Sequence, residues 1–181
     1  MAKTIALLTA EDLERLGPDS RCELMDGVLV EMPPVGPTHG RVTIQLGTRL
    51  FLHAEAHGLG RVYTEVGFIL QRGPDRVRAP DLAFIHADRI PPEGEPPGFW
   101  EIAPDLVVEV VSPNDTPGEL QTKVREWLEA GVHLVWLVYP SSRTVTVVRS
   151  LLDRRELSAD DTLGGEDVLP GFSCRVDELI A

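Results

Sequence analysis

Two hydrophobic spacings alternate along the chain, and together they predict its elements. Val42, Leu46, Leu50 and Ala54 stand four apart, which predicts a helix with one buried stripe running to about residue 57. Thr38 is its expected cap, and Gly58 or Gly60 ends it. Thr9-Ala10-Glu11-Asp12 fits a capping box, so a short helix is expected over 10–16, stopped at Gly17-Pro18. A third helix is expected over 117–130, ending at Gly131, and a last helical turn near 176–180. Elsewhere the pattern is that of strands. Asp26-Gly27 between the apolar-rich runs 21–25 and 28–32 signals a tight hairpin. Strands are expected at 62–70, 78–85, 133–139 and 143–149, and short strands and turns after that. Residues 105–111 form a near-continuous apolar run of the kind covered on both faces. Pro and Gly clusters at 33–37 and 91–98 are loops. The order of helix, hairpin, helix, strands, helix, strands implies an α/β (α+β) fold with a mixed central β-sheet flanked by helices. No repeat or linker interrupts it, so one domain is expected over 1–181.

Composition narrows the functions. The chain has 181 residues, of which 43% are hydrophobic and 25% charged. That is an ordinary globular mix rather than a disordered one. No apolar run approaches the roughly 20 residues of a membrane span, so no membrane partner is expected. Residues 1–8 are too short an apolar stretch for a secretory signal and lead into Glu11 and Asp12. A cytoplasmic protein is expected. Cys22 and Cys174 form no CxxC pair, which excludes a zinc ribbon or thioredoxin-type site. One long-range disulfide is possible, but two reduced cysteines suit a cytoplasmic chain better. No GxGxxG follows a strand, and neither GxxxxGK[ST] nor GxSxG occurs. The formal net charge is −12, which argues against a polybasic nucleic-acid binder. Of the basic residues only Lys3 and Lys123 are lysines. Lys3 belongs to an N-terminus expected to fray, which leaves Lys123 as the single internal lysine. A compact ammonium with a tunable pKa is not interchangeable with a guanidinium.

Glu109 is the most unusual residue. It interrupts the Leu106-Val107-Val108 and Val110-Val111 run, where a carboxylate is costly unless paired or bound to a cation. A salt bridge to an arginine of the sheet would satisfy it, as would a metal or acid/base role. Asp81 follows Pro80, which favours an extended backbone before it and removes a ladder donor. Asp81 is therefore expected at a strand start, facing a sheet end. Lys123 lies on the helix after the Glu109 strand, on one face with Glu119 and Trp127. It can reach back toward Glu109, or make only a surface pair with Glu119. Two carboxylates on adjacent strands can hold a divalent cation. A nearby lysine can orient or deprotonate an attacking water, or stabilise charge on a phosphate. This is the chemistry of metal-assisted phosphodiester hydrolysis.

Pro80-Asp81, then Glu109 in a Val-rich strand, then Lys123, resembles the PD-(D/E)xK nuclease superfamily. Most of the chain resembles its Uma two family of restriction endonucleases. The resemblance is carried by Glu23 through Pro34, Arg78 through Phe84, Ala103 through Pro113, Lys123 through Val132, Trp136-Leu137-Val138 and Leu169-Pro170-Gly171-Phe172. It implies a restriction-endonuclease-like sheet. It assigns Asp81 and Glu109 to metal binding, with Asp81, Glu109 and Lys123 as the catalytic set. In the commonest superfamily pattern the lysine stands two residues after the Glu, where this chain has Val111. The resemblance implies that its role has moved to Lys123. Tyr139 stands where the family often has Asp, a departure that concerns a turn.

A second tier of residues could join the site. His39, whose family counterpart is often His, could approach the metal or contact phosphate. Glu65 could line the site from the neighbouring strand. Glu23 and Glu31 flank the first hairpin, where exposed carboxylates are the simpler expectation. His53 and His57 have ligand spacing but no third partner in view. The leading expectation is a Mg²⁺- or Mn²⁺-dependent endonuclease acting on DNA, with a homodimer suited to symmetric cutting of two strands. The alternative is a catalytically silent nuclease-like fold used for binding or regulation, and a third reading is a hydrolase of smaller phosphoesters. Charge is segmented accordingly. Residues 36–78 carry six arginines against Glu55, Glu65 and Asp75, whereas 93–119 carry seven acidic groups and no basic one. Phosphate contacts are expected from the first segment and cation binding from the second.

Overall fold

Thr9 opens the first helix, α1 (Ala10–Arg15), through the expected capping box with Asp12. The computed structural model describes residues 7–17 and 20–180. Lys3, the first six residues of the N-terminal stretch and Pro18 lie outside the described residues. Asp26 and Gly27 both take left-handed backbone angles and join β1 (Cys22–Met25) to β2 (Val28–Glu31) as the sequence predicts. The long helix α2 (Pro37–His57) buries Val42, Leu46, Leu50 and Ala54 and ends at the left-handed Gly58. Its N-cap is Gly36 rather than Thr38. Pro37 explains the shift, because a fixed φ and a missing N–H suit the first helical position.

The two expected long strands do not form. Residues 62–70 divide into β3 (Gly60–Tyr63) and β4 (Phe68–Gln71), and 78–85 divide into β5 (Arg76–Arg78) and β6 (Leu82–His86). Both breaks fall at one level. Glu65 takes a left-handed conformation, and its N–H donates to the Pro80 carbonyl. Pro80 itself has no donor with which to continue a ladder. The chain therefore changes sheets at both points. β4 and β5 join a four-stranded sheet in the order β2-β1-β5-β4, and β3 and β6 join a six-stranded one.

The six-stranded sheet also takes β7 (Leu106–Val110), β8 (Leu134–Tyr139), β9 (Thr144–Val148) and β10 (Arg154–Leu157). Its order is β10-β9-β8-β7-β6-β3. Only β7 and β8 run parallel, joined by the helix α3 (Pro117–Glu129), which opens on a Thr116–Glu119 capping box. A hairpin of β11 (Thr162–Gly164) and β12 (Ser173–Arg175) and the short α4 (Val176–Ile180) complete the chain.

Alternation along β7 decides what each face meets. Leu106, Val108 and Val110 point into a core with α2 and α4, whereas Val107 points into a second core with Phe68, Val124 and Trp127. Glu109 is in phase with Val107, so it points toward α3. The four-stranded sheet has its own small core, where Leu24 and Val77 meet Ala10 and Leu13.

A buried ion triad ties the small sheet to α3. Arg78 on β5 is only 3% exposed, with Glu23 on β1 and Glu126 on α3 buried beside it. Arg78 Nη1 donates to Glu23 Oε2 at 2.5 Å, and Nε and Nη2 both donate to Glu126 Oε2, at 2.8 and 2.6 Å. Removing the guanidinium would leave Glu23 buried without a cation and Glu126 with only Arg76, 3.5 Å away. Arg78→Met is therefore expected to lower unfolding free energy by about 3–5 kcal/mol. Urea denaturation checks it, and a loss below about 1 kcal/mol would mean that the triad holds nothing together.

Candidate active site

Asp81 occupies the point where the chain passes from the small sheet to the large one. Leu82 pairs with Val108, so Asp81 stands opposite Glu109 at the end of the β6–β7 ladder. Its Oδ2 accepts the Val110 N–H at 2.6 Å. The same oxygen lies 3.2 Å from His39 Nε2 in the first turn of α2. Both contacts use Oδ2, and among the described residues no hydrogen bond is made to Oδ1.

Glu109 is 6% exposed and is held by two side chains of α3. Trp127 Nε1 donates to its Oε1 at 3.0 Å, and Lys123 Nζ lies 3.4 Å from its Oε2. Lys123 therefore reaches the strand, and Glu119 is spent on capping Thr116. Burial pushes the Glu109 carboxyl up to about 7, with Lys123 opposing the shift and Asp81 and Glu23 adding to it. Glu109 in turn raises the Lys123 ammonium above its ordinary value, against burial. Lys123 is thus a held cation and donor rather than a ready base. His39 is raised too, by its hydrogen bond to Asp81.

The second-tier residues divide. His39 joins the site through Asp81. Glu23 is not the exposed hairpin carboxylate expected, being 2% exposed. It binds Arg78 and accepts the Ala79 N–H through Oε1 at 3.0 Å. It thereby fixes the backbone two residues before Asp81. Glu65 lines the same cavity as Asp81 and its N–H donates to the Pro80 carbonyl, while its carboxylate is exposed and pairs with Arg21. Glu31 is exposed at the end of β2 and takes no part. His53 and His57 turn to carbonyls, His53 to Pro170 and His57 to His53. Cys22 and Cys174 are both free. Arg78, Glu126 and Trp127 were not singled out as site residues from sequence. Glu119, Lys123, Glu126 and Trp127 nevertheless stand at i, i+4, i+7 and i+8, and that spacing was the signal.

The donors suit a hard cation. Among the described residues no group of three or more His, Cys, Asp or Glu side chains is arranged to hold a metal. Zn²⁺ would want three or four protein donors. Mg²⁺ keeps water and takes substrate phosphate oxygens beside one or two carboxylates, which matches Asp81 and Glu109. A buried Glu109 whose ionisation is suppressed by burial would gain from a cation beside it.

Asp81 and His39 also border an open cavity of about 380 Å³ between α2 and β3. The metal-free protein should show the cost of ionising Glu109. The folded state binds this proton more tightly than the unfolded one, so the contribution of Glu109 to stability is fully present below about pH 4.5 and is lost as pH rises to about 7. Glu109→Gln is expected to flatten that fall in chelator-treated melts taken across the same pH range. An unchanged slope in the variant would remove Glu109 as its source.

Comparison with known proteins then places the chain. The family model described as "Uma2: putative restriction endonuclease" matches residues 10–177. No curated protein matches the chain. Among solved structures it is similar to a putative nuclease belonging to DUF820 from Anabaena variabilis ATCC 29413, with 19% identity. That likeness covers 96% of this chain and 97% of the other, with a TM-score of 0.84. The fold is thus that of a nuclease-like mixed sheet flanked by helices, and the chain belongs to the Uma2 family, whose model is described as a putative restriction endonuclease.

Proposed function

We propose that the protein is a divalent-metal-dependent endonuclease that hydrolyses phosphodiester bonds in DNA, built as a single domain over 1–181. The observation that carries this reading is the meeting of Asp81, Glu109 and Lys123 where the sheets exchange strands, beside an open cavity. Asp81 and Glu109 would hold Mg²⁺ or Mn²⁺. When bound, the cation supplies Lewis-acid polarisation of a phosphate oxygen and a more acidic water. The chain's own groups do the rest. His39 and the Val110 N–H fix Asp81 through Oδ2, so that Oδ1 would be the oxygen left to a cation. Trp127 holds Glu109 Oε1. Lys123, kept protonated by Glu109, offers a donor and a positive charge to the phosphate as negative charge builds on it. A cytoplasmic homodimer suits the reading, because two copies can address two strands. Among the described residues no helix is long and apolar enough to cross a membrane.

Asp81→Ala and Glu109→Ala are each expected to lower Mn²⁺-dependent cleavage of plasmid DNA at least about 100-fold, with cooperative melting retained. Unchanged cleavage in both variants would overturn the site assignment. Mn²⁺ should raise the melting temperature of the wild-type chain and not that of Asp81→Ala. A protein that only binds or regulates would show neither effect. Lys123→Met should keep the Mn²⁺ stabilisation and lose roughly 10²–10³-fold in turnover. If metal binding is lost instead, the role of Lys123 is to position Glu109.

A further inference from the structure

α2 carries a second stripe besides its buried one. Gly40, Ile44, Gly47, Thr48 and Phe51 fall on a face that lines the cavity beside Asp81. Ile44 is 65% exposed and Phe51 50%. Across the cavity stand Val62 and Tyr63 of β3. Two glycines inside a helix cost it about 1 kcal/mol each relative to alanine, so their places need a reason. Gly47 has one in packing, since a Cβ there would come within 2.9 Å of Leu82. Gly40 has none, since a Cβ there would meet nothing within 4 Å. Its absent side chain leaves open space beside His39 and Asp81.

We infer that this cavity receives an unpaired nucleobase next to the cleaved phosphate, so that the substrate is a single-stranded or locally unpaired nucleic acid. The inference rests on the nuclease reading above. The cavity and the carboxylate site share Asp81 and His39. A phosphodiester held at Asp81 therefore places its neighbouring nucleotide at the cavity mouth. A base in an intact duplex is stacked and paired and cannot turn its face to this wall. An unpaired base can lie against Phe51, with Ile44 and Val62 completing the apolar wall, where stacking tolerates any base; the Tyr63 ring turns to the other face of the sheet, against Trp100. The volume falls in the roughly 300–1,000 Å³ range of small-ligand pockets. The hydroxyls of Thr48 and Thr64 at its margin offer hydrogen bonds to a base edge. Electrostatics point the same way. Of the six arginines in 36–78, Arg49, Arg61, Arg72, Arg76 and Arg78 all pair with carboxylates. Among the described residues only Arg41 of that set makes no ion pair. Binding by phosphate neutralisation alone is thin, and stacking supplies what charge does not.

The test compares one oligonucleotide sequence as a single strand, as a perfect duplex, and as a single strand with one abasic position. Cleavage is measured in Mn²⁺, and binding in Ca²⁺ by fluorescence anisotropy. The wild-type protein should bind and cut the single strand at least about tenfold better than the duplex. Abasic substitution next to the preferred cut should lower cleavage there by a similar factor. Gly40→Leu, which fills the cavity, and Phe51→Ala should each lose the single-strand preference while melting normally and retaining the Mn²⁺ shift. Equal treatment of single strand and duplex would overturn the inference, as would Gly40→Leu behaving as wild type. If no oligonucleotide is cut, the nuclease reading fails and the Ca²⁺ binding arm still decides the cavity. A solution dimer that Phe51→Arg splits into monomers would assign the groove to a second copy of the chain, and would also overturn it.

Discussion

The Arg78 guanidinium is the constraint on which the site depends. It lies between Glu23 and Glu126, and so between the small sheet and α3. Three residues after it comes Asp81. Glu23 answers Arg78 with one carboxylate oxygen and the Ala79 N–H with the other, so the run Arg78-Ala79-Pro80-Asp81 is held at both ends. Asp81 is anchored in turn by Val110 N–H and His39. α3, pinned through Glu126, delivers Lys123 and Trp127 to Glu109. A buried triad is a poor way to gain stability, since desolvation offsets much of its attraction. As a positioning device it is well placed, because it ties β5, which leads into Asp81, to α3, which carries Lys123 and Trp127.

The triad also sets the field around it. Arg78 serves both carboxylates, Arg76 approaches Glu126 at 3.5 Å, and Glu23 is among the groups that raise both Glu109 and Lys123. The centre is therefore over-supplied with negative charge. Lys123 answers part of it. A divalent cation between Asp81 and Glu109 would answer more, which gives a physical ground for metal dependence in the proposed reaction.

Much of this was legible in the sequence wherever a local rule governed. The Asp26-Gly27 hairpin, the stop of α2 at Gly58 or Gly60, the start of α3 at Pro117 and the apolar β7 all follow from short-range chemistry. Lys123 stood out because it is the single internal lysine, and Glu109 because of the valines around it. The expected strands 62–70 and 78–85 failed because apolar spacing does not say which sheet a residue joins. Glu65 and Pro80 break both strands at one level, and their backbone hydrogen bond is a tertiary fact. Glu23 misled for the same reason. A carboxylate in a hairpin is usually solvated, and only the arrival of Arg78 from another strand makes its burial tolerable.

The acidic excess takes on a definite meaning at this point. The basic segment 36–78 was expected to meet phosphate, yet most of its arginines are turned to carboxylates of their own chain. The outer pairs, Arg49–Glu178 and Arg61–Glu95, are exposed and worth at most about 1 kcal/mol each, so a phosphate could displace them. Arg78 is different, because its partners are buried and its removal would strand them. Within the 36–78 segment the cations open to a nucleic acid are therefore the exposed, weakly held ones and Arg41, one turn into α2. A net charge of −12 repels a polyanion everywhere else. On the proposed reading, recognition would then concentrate at Asp81, which the carboxylate site shares with the apolar cavity. Such a surface favours a single distorted or unpaired nucleotide over a long regular duplex.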